Sequence, residues 1–293
     1  MVLPCIILNY RGIQNTEQCL SSLLASTKTP LRIFVVDNGS GPAEQAALER
    51  LPFDVERLNL PQNMGFAKGM NMGIRVVLAS NPTSILLLNN DTTFQGGAVD
   101  ALVRVAEEVE EAGIVVPNRR FHRSILRDEV ATNGEPATSQ LRPREVKRAA
   151  AFCWLVNANV FSSVGLFDEE FFFGREDDDF CRRVTRFGYS VIEVPNSLVY
   201  HKLEGSDAGY GQVAASRFRL YHMSRGRGLY LRKHYDRIAL FALTLLALAS
   251  LARDITASTL TKGFDPRGVY LAFRGFADGL AGRNRVSPNL DSL

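Results

Sequence analysis

Through residue 116 the chain alternates short β-branched runs with longer stretches of helical period, and nothing else in the sequence constrains the fold as much. The predicted strands are Val2 to Asn9, Leu31 to Asp37, Val55 to Asn59, Ser84 to Asn89 and Ile114 to Val116. Between them, Thr16 to Leu24, Ala43 to Leu51, Ala67 to Leu78 and Ala98 to Ala112 carry apolar residues at helical spacing. Strand and helix taken in turn argue for βαβ units, an α/β class and a mostly parallel sheet flanked by helices. In such a sheet ligands belong beyond the carboxyl ends of the strands. With 293 residues and 46% hydrophobic content, the chain can bury a full core in one large domain, or one domain plus an appendage.

Beyond residue 117 the pattern loosens. Residues 118–150 are polar and Arg-rich, with Asn133-Gly134 and two prolines, and read as a long excursion. Apolar character returns at 151–164, followed by FFFGREDDDF (171–180) and a helix with apolar positions Phe180, Cys181, Val184 and Phe187. Strands are predicted at 190–194 and 198–201. From Lys202 onward there are 14 Lys and Arg against 7 Asp and Glu, so the tail is the basic part of a chain whose net charge is +3. Within that tail IALFALTLLALASLA (238–252) is bracketed by Arg232, Lys233, Arg237 and Arg253. Fifteen residues fall short of the roughly 20 that cross a bilayer as a helix. A buried core helix is one reading, and a helix lying on an anionic membrane surface, through about 232–253, is the one the flanking cations favour. The cations accompany aliphatic rather than interleaved aromatic residues, which argues against nucleic acid as a partner. The cysteines, Cys5, Cys19, Cys153 and Cys181, form no CxxC pair, so neither a disulfide framework nor a zinc knuckle is expected. No basic n-region precedes VLPCIILN, and the expected location is the cytoplasm, peripheral on the inner face of the membrane.

Four predicted strands end in polar residues: Asn9, Asp37 in RIFVVDNGSG, Asn59, and Asn89-Asn90-Asp91 in ILLLNNDTT. Any one of these is ordinary turn chemistry; parallel strands would bring all four to one edge. The first βα turn, NYRGIQN, lacks GxGxxG, and GxxxxGK[ST] occurs nowhere, so the simple dinucleotide and P-loop readings fail. In NMGFAKGMNMG (63–73) several glycines open a helix, where backbone amides could approach a phosphate with Lys68 alongside. Asp91, projecting from the sheet edge, suits Mg²⁺ or Mn²⁺ bound together with a diphosphate. His201 gains interest only if its strand lies beside the one carrying Asp91. Glu176, Asp177, Asp178 and Asp179 fall in the cap and first turn of a helix, where its dipole favours negative charge. That accounts for one or two carboxylates; a metal nearby or a general base would account for the surplus.

VVDNGSG, NMGFAKGMNMG, ILLLNNDTT, GLFDEEFFFGREDDDFCRR and VYHKLEGS, in this order, resemble the family 2 glycosyltransferases, in particular their rhamnosyltransferase-like branch. The resemblance implies a GT-A fold over about residues 1–235, with a nucleotide-sugar half at 1–117, an acceptor half at 118–235 and a helical extension at 236–293. It implies an inverting, metal-dependent transferase that moves a sugar from a nucleotide-diphosphate donor to a glycan or lipid-linked acceptor in cell-envelope polysaccharide synthesis. dTDP-rhamnose is the donor the branch implies, with UDP- and GDP-sugars open. By the same resemblance Asp37 contacts the nucleotide, with Asn9, Arg11, Asn38, Asn63, Gly65, Lys68, Asn71, Asn89 and Asn90 around the donor. Asp91 and His201 would hold Mg²⁺ or Mn²⁺, Asp177 would be the base with Glu176 beside it, and Trp154 would offer the acceptor sugar a face or else pack in the core. Asn at position 89, where the family's Asp-X-Asp element begins, leaves Asp91 as the firm metal ligand. The rival readings are a nucleotidyltransferase on a similar sheet and a non-catalytic sugar-binding relative.

Overall fold

The computed structural model describes residues 2–121, 142–202, 212–262 and 264–283. Contacts divide the chain into two compact units, one of residues up to Phe167 with Asp177–Ala208, the other of Asp168–Glu176 with the chain from Gly209 onward. The boundary expected at 235/236 is therefore interior to the second unit. The middle of the polar excursion, 122–141, lies outside the described residues.

The first unit is built on a sheet in the order β3-β2-β1-β4-β8-β6-β9-β5, with β7 on the side of β9. Its strands are β1 (Leu3–Asn9), β2 (Leu31–Asp37), β3 (Glu56–Asn59), β4 (Ser84–Asn89), β5 (Thr92–Phe94), β6 (Ala112–Phe121), β7 (Arg144–Glu145), β8 (Cys153–Asn157) and β9 (Ser190–His201). The first four pair in parallel, as the alternation predicts. β8 then inserts antiparallel between β4 and β6, and β9 returns parallel to β6. This antiparallel strand comes from the apolar stretch 151–164, which splits into β8 and the short helix Ala158–Val164. The two strands predicted at 190–201 are one strand whose pairing slips between Pro117/Val194 and Asn118/Leu198.

All seven residues of β1 are buried, because both faces of the sheet are covered. Period-2 alternation sends Leu3, Cys5 and Ile7 to one layer, against Cys19, Leu20 and Leu23 of α1 (Ile13–Ser26) and Val99, Leu102 and Val105 of α4 (Ala98–Glu108). Ile6 and Leu8 point to the other layer, with Met70, Ile74 and Val77 of α3 (Phe66–Leu78) and Phe180, Cys181 and Val184 of α6 (Glu176–Arg186). The glycines of NMGFAKGMNMG serve this packing. A Cβ on Gly73 would lie 2.7 Å from Ile6 Cγ2, one on Gly69 3.0 Å from Leu8 Cδ1, and Gly65 takes φ 81° at the helix start. Phe187, predicted on the apolar face, lies just past the end of α6 and is exposed. The four cysteines are buried and free, and burial pushes the Cys19 thiol up to about 12.

The second unit holds three helices, α7 (Gln212–His234), α8 (Arg237–Lys262) and α9 (Pro266–Leu280). α7 and α9 lie backbone against backbone. A Cβ on Gly275 would fall 2.2 Å from Tyr221 O, on Gly279 2.1 Å from Arg225 O, and on Gly228 2.3 Å from Phe276 O. The contacts advance in step along both helices, so the two run parallel. Only glycine permits so close a crossing. α8 is longer than the apolar run that announced it and leaves Ile238, Phe241, Leu245 and Leu246 exposed along one stripe. Among the described residues no helix is long and apolar enough to cross a membrane.

Candidate active site

Register brings the polar strand ends together. Asn9 pairs with Asp37, Asp37 with Asn59, and Leu8 with Asn89, so the four ends adjoin on one edge. Asn9 and Asp37, both buried, anchor a hydrogen-bonded network there, while Asn59 is exposed. Asn9 Nδ2 donates to Asp37 Oδ1 at 3.0 Å, while Asn9 Oδ1 accepts from Thr16 Oγ1 at 2.9 Å and Asn90 Nδ2 at 3.0 Å. Asp37 also accepts from Ser40 N and Gln45 Nε2, each at 3.2 Å, and from Ser40 Oγ. Arg11, in the left-handed region at φ 48°, donates its amide to Ser40 Oγ at 2.8 Å. These hydrogen bonds offset the cost of taking the Asp37 side chain out of water. Ser40 and Gln45 are half-buried, so theirs are the bonds a ribose hydroxyl or a base N–H can replace.

Several residues expected around the donor turn out to hold the scaffold. Asn38 Nδ2 donates to Asn63 Oδ1 and Gly65 O, each at 3.1 Å, and Asn38 Oδ1 accepts from Met64 N, tying the end of β2 to the start of α3. Asn71, buried, clamps the backbone of Phe167 from both ends of its amide, at 2.8 and 3.1 Å. Trp154 is wholly buried, stacked on Phe167 at 5.7 Å and bonded to Ala150 O. Of its two readings the structure supports core packing, and its indole offers no face to a sugar. Lys68 is half-buried on the first turn of α3, with no ion pair among the described residues.

Past Asn89 the chain turns at Asn90-Asp91 and enters β5, whose Thr92 pairs with His201 of β9. The strand of His201 thus lies beside β5, which follows Asp91, and not beside β4, from which β8 and β6 separate it. His201 Nε2 stands 3.1 Å from Asp91 Oδ1, and its ring stacks on Phe152 at 5.1 Å. Asn89 Nδ2 is 3.5 Å from the same Nε2. His201 Nδ1 and Asn89 Oδ1 are buried and have no hydrogen-bond partner among the described residues. Orphaned buried acceptors of this kind call for an explanation. Asp91 Oδ1 and His201 Nε2, 3.1 Å apart, could both face one hard cation. A half-turn of the Asn89 amide would aim its oxygen at the same point. Among the described residues no three His, Cys, Asp or Glu side chains gather into a metal site. The Asp91–His201 pair could thus supply two ligands of a hard divalent cation whose remaining positions go to phosphate oxygens and water, the usual arrangement for Mg²⁺.

The acidic run begins α6. Asp179 pairs with Arg183 at 2.8 Å, Arg183 also bonds Val164 O and Leu166 O, and Asp178 has Arg148 at 3.9 Å. Asp177 Oδ1 accepts from Asp178 N at 2.8 Å, on a half-buried side chain. Repulsion along the run is thus relieved by two arginines and the helix amides. The direction of α6 follows from its contacts. Val184 lies against Gly113 at the start of β6, while Phe180, one turn earlier, lies against Trp154, the partner of Leu87 in the middle of the sheet. A further turn back, Asp177 heads toward the Asn89 edge. Sequence reasoning missed Thr16 and Gln45, which carry no motif, and missed Phe152, which only the β8 register brings under His201.

The glycosyl transferase family 2 model matches residues 5–165. The N-acetylglucosaminyl-diphospho-decaprenol L-rhamnosyltransferase of Mycobacterium tuberculosis is 28% identical over 76% of this chain and 82% of its own length. The dTDP-rhamnosyl transferase RfbF of Shigella flexneri is 25% identical over 69% of this chain and 71% of its own. Among solved structures, the mannosyltransferase PcManGT of Pyrobaculum calidifontis, in complex with GDP-Man and Mn²⁺, superposes with TM-score 0.60 at 16% identity, over 96% of this chain and 87% of that one. That likeness establishes a shared GT-A-like α/β fold. With more than half of its residues inside the family match, and the strand edge within them, the chain belongs to glycosyl transferase family 2 and is a glycosyltransferase.

Proposed function

We propose that the protein is an inverting, metal-dependent transferase that moves rhamnose from dTDP-rhamnose to a hydroxyl of a polyprenyl-diphosphate-linked glycan in cell-envelope polysaccharide synthesis. The observation that carries this reading is the Asp91–His201 pair, with the buried, unpartnered Asn89 Oδ1 beside it, on the edge toward which α6 runs back to Asp177. The names of two relatives supply the donor sugar, and one of them the class of acceptor.

Asp91 and His201 would hold Mg²⁺ or Mn²⁺, which when bound neutralises charge on the departing diphosphate. The Asn9–Asp37–Ser40 network receives the nucleoside, and Lys68 faces the phosphates from the first turn of α3. Asp177 accepts the proton of the acceptor hydroxyl. As that O–H bond breaks, the oxygen bonds to the anomeric carbon from the side opposite the leaving group. The bond from that carbon to the phosphate oxygen breaks, its electron pair leaves with the nucleoside diphosphate, and configuration inverts. Incubating the full chain with dTDP-rhamnose, Mn²⁺ and synthetic N-acetylglucosaminyl-diphospho-polyprenol should give a rhamnosylated lipid whose anomeric configuration, read by NMR, is opposite to the donor's. Retention, or release of pyrophosphate from a nucleoside triphosphate instead, would contradict the reading.

The exposed stripe Ile238, Phe241, Leu245 and Leu246, with Arg237 at one end of the helix and Arg253 further along, fits a helix lying in an anionic interface where a lipid-linked acceptor resides. Replacing Phe241 and Leu245 by Ser should shift the protein from the pellet to the supernatant when it is spun with vesicles containing anionic phospholipid. Equal pelleting of variant and wild type would exclude the stripe as the contact.

A further inference from the structure

The loop Asp168–Glu176, which leads covalently into Asp177, belongs to the same compact unit as the C-terminal helices. Its attachment to α7 is close and specific. Arg225, buried at 2% exposure, donates from Nη1 to Glu170 O at 2.6 Å and from Nε and Nη2 to Arg283 O at 3.2 and 3.0 Å. Lys233 reaches Asp168 at 2.6 Å and Glu170 at 2.8 Å. Phe172 stacks on His222 at 4.6 Å, and burial pushes the imidazole down to about 3, so at neutral pH it is an uncharged flat ring. Gly174 and Arg175 both take positive φ, 86° and 76°. For Arg175 that is a strained conformation, which persists only where its surroundings impose it. The imposing group is close by: a Cβ on Gly226 would lie 2.2 Å from Gly174 O and 3.5 Å from Arg175 Cβ.

We propose that Gly226 and Arg225 of α7 are positioning residues for the transfer reaction, holding the strained turn at Gly174-Arg175 so that Asp177 meets the acceptor hydroxyl. The inference rests on Asp177 being the base. A network that only stabilised the fold would not require the helix backbone to touch the strained peptide two residues before the acidic run.

The test is Gly226→Ala in the full chain, assayed with dTDP-rhamnose, Mn²⁺ and the polyprenyl acceptor beside Gly228→Ala and Asp177→Asn. The Gly228 change is equally crowded, with its Cβ 2.3 Å from Phe276 O, but it acts on the α7–α9 crossing and not on the loop. An ångström of misplacement costs about a hundredfold in rate. Gly226→Ala should therefore lower kcat about a hundredfold, leave KM for the donor within about twofold and shift the acid limb of the kcat profile. Gly228→Ala should lower Tm and keep that limb in place. If Gly226→Ala fails to fold, Arg225→Lys, which keeps the charge and loses the fork, should show the same split between kcat and KM. Wild-type kcat in Gly226→Ala, or parallel losses of kcat and donor affinity in both glycine variants, would overturn the inference. Full activity in Asp177→Asn would overturn the base assignment and this inference with it; inactive Asp177→Asn beside fully active Gly226→Ala would overturn this inference alone.

Discussion

Asp177→Asn should lower turnover by about 10²- to 10⁴-fold, the range a positioned general base contributes, while donor binding stays near wild type. The substitution is nearly isosteric. Its amide oxygen can still accept from Asp178 N, as Oδ1 of Asp177 does at 2.8 Å, so the first turn of α6 keeps that bond. What disappears is the capacity to take a proton. The acid limb of the wild-type kcat profile, where a carboxylate base becomes protonated, should disappear with it. Asp178→Asn is the matched comparison, since one of its contacts is Arg148 at 3.9 Å with the arginine largely exposed. Exposed pairs of that kind contribute at most about 1 kcal/mol, and turnover in that variant should remain within a few-fold of wild type. The two single-atom changes, one residue apart, separate a base from a helix end that is merely acidic.

Asp91→Asn should have an effect of similar size for a different reason. Asp91 is 6% exposed and faces His201 Nε2 at 3.1 Å. An amide in its place keeps a hydrogen-bonding group beside the imidazole, so the β4–β5 turn is retained while the only carboxylate of the pair is lost. Loss of a group that stabilises transition-state charge typically costs about 10²- to 10³-fold in kcat, and a hard cation loses affinity when its anionic ligand becomes neutral. Titration of Mn²⁺ followed by electron paramagnetic resonance, in the presence of a nucleoside diphosphate, should show the affinity falling in step with turnover. His201→Ala should weaken Mn²⁺ as well and, by removing the ring stacked on Phe152, should also lower Tm. Metal affinity unchanged in both variants would remove the pair from the metal site.

Much of this site was legible before any coordinates. The polar ends of β1, β2, β3 and β4 could be read as convergent because parallel strands must deliver their ends to one edge, and register bears this out. The placement of His201 could not be read. It depends on β5, three residues long, pairing antiparallel with the far end of β9 across a slip at residues 195–197, and no local pattern encodes a pairing between residues 92 and 201. β8 escaped for a similar reason: a short apolar run does not announce whether it enters a sheet parallel or antiparallel. The hydrogen bonds of the donor-side asparagines could not be read either. Asn38 and Asn71 sit within motifs, but their amides bond neighbouring backbone, an office that polar side chains at buried loop junctions often hold. The bond between Arg225 and Glu170 O could not be read, because it joins positions 55 residues apart with no shared motif.

On the proposed mechanism Asp91 and His201 share a divalent cation at the edge toward which Asp177 heads. A crystal of the full chain grown with Mn²⁺ and dTDP, with data collected at the manganese absorption edge, tests it most directly. The expected result is one anomalous peak bonded to the Asp91 carboxylate, the His201 imidazole and oxygens of the diphosphate, with the Asp177 carboxylate facing the space beyond the terminal phosphate. A peak held by other residues, or nucleotide bound while Asp91 and His201 remain hydrogen-bonded to each other with no metal between them, would contradict it.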